Sequence, residues 1–174
     1  MATTPPEAPP TIRPLSRDGL AVVADELVDL YGLAYAGPPW SEGPEQVAHY
    51  RDRLAAWAGR DGFAGLLARR DDGLLAGAAY GWWAPPAIDG ARLPGIPAGV
   101  GRVFHVGDLM VHPAAERRGL GRRLLDQLVA GRSPCILLTH PDSHAWRLYE
   151  SAGWRRTGTI ALVGAPTLLV YALG

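Results

Sequence analysis

The chain reads as one mixed α/β domain, and three observations carry that reading. Strand-like apolar runs and amphipathic helical stretches alternate along most of it, the pattern of a sheet covered by helices. Its 174 residues match a single domain with a sizeable core. With 48% hydrophobic and 20% charged residues, its composition is globular rather than disordered.

Composition also excludes several roles. Seventeen basic and seventeen acidic residues cancel to a formal net charge of zero, so no global field favours nucleic acid. One cysteine, Cys135, leaves no intrachain disulfide framework. No apolar run reaches membrane-spanning length, and the N-terminus lacks a basic and then apolar leader pattern, so a cytoplasmic location is expected.

Residues 1–10 (MATTPPEAPP) are proline-rich and polar, which predicts a flexible tail before a domain at 11–174. Residues 11–15 suit a short edge strand. Ser16 is placed to cap a helix running to about Ala34, with Leu20, Val23, Leu27, Leu30 and Tyr31 as its apolar face. Gly37-Pro38-Pro39-Trp40 ends it. A second helix, opened by Ser41 or Glu42, spans 44–58 with Val47, Tyr50, Leu54 and Trp57 spaced by three and four. Strands at 63–69 and 74–83 flank the hairpin signal Asp71-Asp72-Gly73. Residues 84–101, rich in proline and glycine, form a long loop. Further strands are expected at 133–139, 154–162 and 167–173, with a helix capped by Asp142 and ending near Ala152.

The centre of the chain is residues 103–130, VFHVGDLMVHPAAERRGLGRRLLDQLVA. A β-branched strand stops at Pro113, which cannot continue a ladder. Arg117-Arg118-Gly119-Leu120-Gly121 follows, and then a helix whose Leu120, Leu124, Leu125 and Leu128 form one face. A helix start offers unpaired N–H groups and the positive end of the dipole. Glycine lets a ligand approach the backbone, and Arg117, Arg118, Arg122 and Arg123 add charge for phosphate oxygens. A phosphate-bearing small molecule fits this arrangement better than a polyanion does. A dinucleotide fingerprint is excluded because Leu124 occupies its third glycine position, and a P-loop because the chain has no lysine.

Leu109-x-Val111-x-Pro113 followed by x-x-Gly119-x-Gly121 resembles the acetyl-CoA segment of the GNAT N-acetyltransferase superfamily. Glu116 stands where that family usually has Gln or Arg. Downstream, Ala145-x-x-Leu148-Tyr149-Glu150-x-x-Gly153-Trp154 resembles a second family segment, with Asp142 where asparagine is common and Trp154 where phenylalanine is. The resemblance implies a mixed sheet of six to seven strands, splayed at the acetyl-CoA site and flanked by four helices. It implies acetyl-CoA as co-substrate with no metal. Pantetheine would contact Leu109, Met110 and Val111, and the pyrophosphate would lie on Arg117, Arg118, Gly119, Leu120, Gly121 and Arg122. The acceptor would be a small-molecule amine rather than a nucleic acid or a membrane, and family domains often pair as homodimers.

Transfer to an amine requires two proton movements. An alkylamine of pKa about 10.4 is ~0.04% free base at pH 7, a deficit of roughly 4.6 kcal/mol that a general base removes. Asp108 and His105 are the candidates, and strict two-residue alternation would set them on opposite faces of the strand. Tyr149 aligns with the family tyrosine that protonates the departing thiolate. His140 and His144 have no evident third metal ligand, and Cys135 lies mid-strand among apolar residues. Aromatic residues crowd the acceptor segments, and of these Trp40 together with Trp82 or Trp83 is the expected pocket lining, since adjacent strand residues cannot both face one side. Two other readings stay open: a non-catalytic acyl-CoA-binding domain and an acetyltransferase acting on peptides or proteins.

Overall fold

A computed structural model describes residues 8–162 and 166–174. Residues 1–7 of the expected tail lie outside the described residues, as do residues 163–165. The Pro10 carbonyl, at the end of that tail, accepts from Arg123 Nη2 at 3.3 Å.

The elements follow the predicted order: β1 (Thr11–Leu15), α1 (Arg17–Tyr35), α2 (Pro44–Ala58), β2 (Ala64–Arg69) and β3 (Leu75–Ala84). Next come β4 (Ala87–Ile88), β5 (Ala91–Arg92), β6 (Val103–Val111), α3 (Leu120–Val129) and β7 (Cys135–Thr139). The chain closes with α4 (Trp146–Ser151), β8 (Arg155–Ile160) and β9 (Leu168–Leu173). Seven strands form one sheet in the order β1-β2-β3-β6-β7-β9-β8, in which β6 and β7 pair in parallel and the other neighbours are antiparallel. Within the segment expected to be all loop, β4 and β5 form a separate two-stranded ribbon.

Helices cover both faces. On one, Leu27, Leu30 and Tyr31 of α1 and Tyr50 and Leu54 of α2 pack on Ala78, Tyr80 and Met110. On the other, Leu124, Leu125 and Leu128 of α3 and Tyr149 of α4 pack on Ala79, Phe104 and Val106. The three α3 leucines are at most 1% exposed. Truncating any of them to alanine would cost about 2–5 kcal/mol. No helix among the described residues is long and apolar enough to cross a membrane.

Local caps explain two boundary corrections. Ser16 caps α1 as expected, its Oγ accepting from Gly19 N at 3.1 Å. For α2 the N-cap is Gly43 rather than Ser41 or Glu42, because Pro44 supplies the first helical position and Gln46 reaches back to Gly43 N at 3.0 Å. Asp142 does not cap α4. Its N–H donates to His140 Nδ1, Ser143 Oγ accepts from Ala145 N, and the helix begins only at Trp146.

Candidate active site

The site begins with a fault in β6. Its register against β3 shifts between Tyr80 and Gly81, which face Asp108 and Val106, so Gly107 is an extra residue with no partner. A β-bulge of this kind resets side-chain alternation. His105 stacks against Trp82 at 6.3 Å, and Asp108 bonds Tyr35 and Tyr80, so both lie on the α1–α2 face. The opposite-face expectation from strict alternation is thereby corrected. Gly107 is sterically required, since a Cβ there would stand 2.3 Å from the Trp82 ring.

Beyond the bulge the sheet opens. β6 and β7 pair only at Phe104–Cys135, His105–Ile136 and Val106–Leu137. Residues 107–111 have no strand partner on the β7 side, where a cavity of about 1010 Å³ lies. Leu109, Val111, Leu138 and Thr139 line it, while Glu116, Arg117 and Gly121 close the α3 end.

The loop before α3 is shaped by two left-handed residues, Arg117 (φ 60°) and Gly119 (φ 75°). Nothing lies within 4 Å of where a Gly119 Cβ would be, so the glycine answers the backbone conformation rather than crowding inside the chain. The first-turn N–H groups of α3 and the open flank of β6 are separate sets of backbone donors bordering one cavity. Together they fit a ligand with phosphates at one end and an amide-bearing arm at the other, as acetyl-CoA has. Arg122 is tied instead to Asp126 at 2.6 Å and to the Ser151 carbonyl at 3.0 Å, which braces α3 against the end of α4. Arg118 and Leu120 line a small separate depression with Ala8 and Pro10. Met110 is fully buried, its sulfur accepting from Tyr50 Oη at 3.7 Å, and it is not part of the cavity lining.

Asp108 is half-buried at the cavity wall. Its carboxylate accepts from Tyr35 Oη at 3.0 Å and Tyr80 Oη at 2.5 Å, and Tyr80 in turn shares a short hydrogen bond with Tyr50. Desolvation pushes its pKa up to about 6, although the Tyr80 and Tyr35 bonds and the Arg53 charge pull the other way. Tyr149 lines the cavity from α4 and is 8% exposed. Burial pushes its phenol up to about 12, partly offset by the Thr139 side chain, and the Asp108 charge reaches it.

Other expected site residues fall elsewhere. His105 is buried outside the cavity lining, and burial pushes its imidazole down to about 4. Trp82, 6% exposed, stacks on Trp57 and His105 inside the core. Trp83 turns to the opposite face against Phe104. Neither tryptophan lines the cavity, because the consecutive side chains of β3 are each taken up by a helix layer or the sheet. Trp40 does line it, edge-on to Tyr35 at 5.7 Å and to His140 at 5.6 Å.

Glu42 and Arg53, which the sequence does not single out for the site, line the cavity, and so does Tyr35 from among the acceptor-segment aromatics. Tyr31 and Tyr35 sit four apart on α1, and Arg53 and Trp57 four apart on α2. That spacing of polar-tipped rings and a cation on two adjacent helices was the available signal. Among the described residues, no cluster of three or more His, Cys, Asp or Glu side chains could hold a metal.

Comparison with known proteins agrees with this geometry. The model of the Acetyltransferase (GNAT) family matches residues 24–154. A GCN5-like protein acetyltransferase of Mycobacterium tuberculosis is 34% identical, with 46% of this chain and 48% of that one covered, so the match spans about half of that relative's length. The structure of a Corynebacterium glutamicum histone acetyltransferase HPA2 and related acetyltransferase superposes with a TM-score of 0.66 at 20% identity, covering 95% of this chain and 96% of that one. An aminoglycoside N-acetyltransferase AAC(6')-Iy in complex with CoA gives a TM-score of 0.65 at 15% identity, covering 90% and 95%. With a splayed parallel pair, a basic glycine loop opening α3 and a family model matched over most of its length, the chain belongs to the GNAT acetyltransferase family, acyltransferases that use acetyl-CoA.

Proposed function

We propose that this protein moves the acetyl group of acetyl-CoA directly onto a primary amine of a small molecule, in the cytoplasm, with general-base assistance. The observation that carries the reading is Asp108, a carboxylate held near pKa 6 on the cavity wall between an aromatic chamber and Tyr149. Bound acetyl-CoA supplies the acetyl group as a reactive thioester. Asp108 is mostly ionised at neutral pH, so it can take a proton from the acceptor ammonium, directly or through one water. Tyr35 and Tyr80 hold that carboxylate in one orientation from two sides. Tyr149 keeps its proton at neutral pH and can give it to the departing sulfur. Cys135 is buried outside the cavity, with its thiol pushed up to about 11, so it is not placed to carry the acyl group. A small acceptor is favoured by the chamber on the α1–α2 side, where Tyr35, Trp40 and Trp57 offer ring faces and edges and the Trp40–His140 contact bridges the walls.

The test is thiol release from acetyl-CoA across a panel of small amines and peptides, for the natural protein and a Gly119→Trp, Gly121→Trp double variant. Acceptor-dependent release with small amines, absent in the variant, is the expected result. Release with peptides alone would reassign the acceptor to proteins. CoA binding with no release on any acceptor would make the domain a binding module.

A further inference from the structure

Arg53 is a cation in an unusual setting. It projects from α2 into the cavity, with Cζ 5.1 Å from the Tyr31 ring centre and 5.5 Å from those of Tyr50 and Trp57. Of its five N–H donors, one on Nη2 donates to Tyr31 Oη at 2.6 Å. Its Nε is shielded from solvent and has no hydrogen-bond partner. No described carboxylate forms an ion pair with it. The two acids on its side of the cavity are already engaged, Glu42 by the Tyr31 hydroxyl and Asp108 by Tyr35 and Tyr80. A half-enclosed guanidinium with an unused Nε–H and no carboxylate in direct contact is an unfinished interaction, because desolvated charges persist where a partner completes them.

The missing partner is an anion, and the planar fork of arginine matches a carboxylate with two parallel hydrogen bonds. Position argues that this anion belongs to the acceptor. Arg53 stands with α1 and α2 on one face of the sheet, whereas the glycine loop opens α3 on the other. Its charge is felt at both Asp108 and Glu42, so it lies near the proposed base. Glu42 beside it would repel a carboxylate seated anywhere but on the guanidinium, and so would help fix the orientation of the molecule.

We infer that Arg53 anchors a carboxylate on the acceptor, so that the substrate is an amine bearing an acid group, held by Arg53 at one end and presented to Asp108 at the other. The amine half of this statement rests on the acyl-transfer reading above, while the anion site stands on the geometry of Arg53 alone. Tyr35, Trp40 and Trp57 would flank an apolar body between the two ends.

Two measurements test it. Thiol release from acetyl-CoA is compared for L-phenylalanine, L-tryptophan and L-methionine, each against its carboxamide and its decarboxylated amine. Separately, tryptophan fluorescence of the CoA-saturated protein follows titration with benzoate and with benzamide; saturation keeps CoA phosphates from being mistaken for the acceptor's anion. The acid is expected to exceed its amide in kcat/KM by about 10- to 100-fold, the worth of a charge-assisted pair, and benzoate to bind at least about 10-fold tighter than benzamide. Arg53→Gln should bring both ratios toward one, and Arg53→Lys, which keeps the charge but loses the fork, should leave them intermediate. Ratios taken within each variant are insensitive to a general loss of fold. Ratios near one in the natural protein, ratios that survive Arg53→Gln, or benzoate discrimination alongside acid-blind turnover would each overturn the inference. Benzoate discrimination with no amine turned over would keep the anion site and remove the acyl-transfer reading. Amines turned over without acid preference, with benzoate and benzamide bound alike or not at all, would do the reverse.

Discussion

On its α3 side the cavity wall is built chiefly by β6 through α3 and completed by Leu138 and Thr139 of β7 and Tyr149 of α4, while its α1–α2 side is assembled from Tyr35, Trp40, Glu42, Arg53 and Trp57, with Asp108 facing them from β6. The first wall offers mainly backbone: an open strand flank and the start of a helix. The second offers side chains whose meaning depends on what folds against them. A backbone cradle suits a ligand common to many proteins, because it asks little of particular side chains. A side-chain chamber suits an acceptor peculiar to one protein. The two walls can be perturbed separately, and Asp108 is where the effect should be largest.

Asp108→Asn should lower kcat by about 10²- to 10⁴-fold with little change in CoA affinity, measured by steady-state kinetics and by equilibrium binding. The same variant should gain stability at neutral pH. The folded pKa of about 6 is raised above the ordinary 3.8, so the fold binds the proton more tightly than the unfolded chain and loses stability as pH rises through that window. Removing the ionisable group should recover on the order of 1–3 kcal/mol in thermal or denaturant unfolding at pH 7, and a less stable variant would sink this account of the carboxylate. Tyr149→Phe should cost about 10- to 100-fold in kcat and leave the pH limb of Asp108 in place, read from a kcat/KM profile.

Gly119→Ala probes the other wall by backbone alone, since the added Cβ meets nothing within 4 Å. The left-handed conformation should cost about 1–2 kcal/mol, seen as weaker CoA binding or a lower Tm, with the acceptor KM little changed. The smallest effect expected is a displacement of the pH profile. For the natural protein kcat/KM should rise as pH increases through about 6, because the base must be ionised. Tyr35→Phe removes a hydrogen bond that favours the ionised form, so the limb should move to higher pH, and a move to lower pH would contradict the role given to that hydroxyl.

What was legible in the sequence follows the same division. Strand, loop and α3 were readable because the leucine spacing, the Gly-x-Gly and Pro113 are local signals that act on adjacent residues. The limits of α2 were readable from its apolar period, although its cap was not, because Gln46 and Pro44 outweigh the nominal capping power of Ser41. The bulge left one local mark, a lone glycine at 107 inside a strand pattern, which does not say how the register would shift. It exists because β3 and the Trp82 ring approach there, and it moved Asp108 to the face of His105. Trp82 and Trp83 were expected in the pocket because aromatic residues crowd the acceptor segments, and an aromatic ring serves a core equally well. Nothing in the sequence around Arg53 sets it apart from the other polar residues of α2. Only the packing of Tyr31, Tyr50 and Trp57 around it makes it a half-enclosed cation.

The parting of β6 and β7 after three paired residues has one more consequence. A strand flank stripped of its ladder is ordinarily an aggregation hazard, because a second chain can add to it as a new strand. Here the bare flank is recessed inside a sheet, with β3 already bonded along the other side of β6 and β9 along the far side of β7. Another protein's strand, with side chains projecting on both faces, could not slide between them. The gap therefore favours a narrow, flexible arm able to form amide hydrogen bonds over the neighbouring chains that threaten an outer edge.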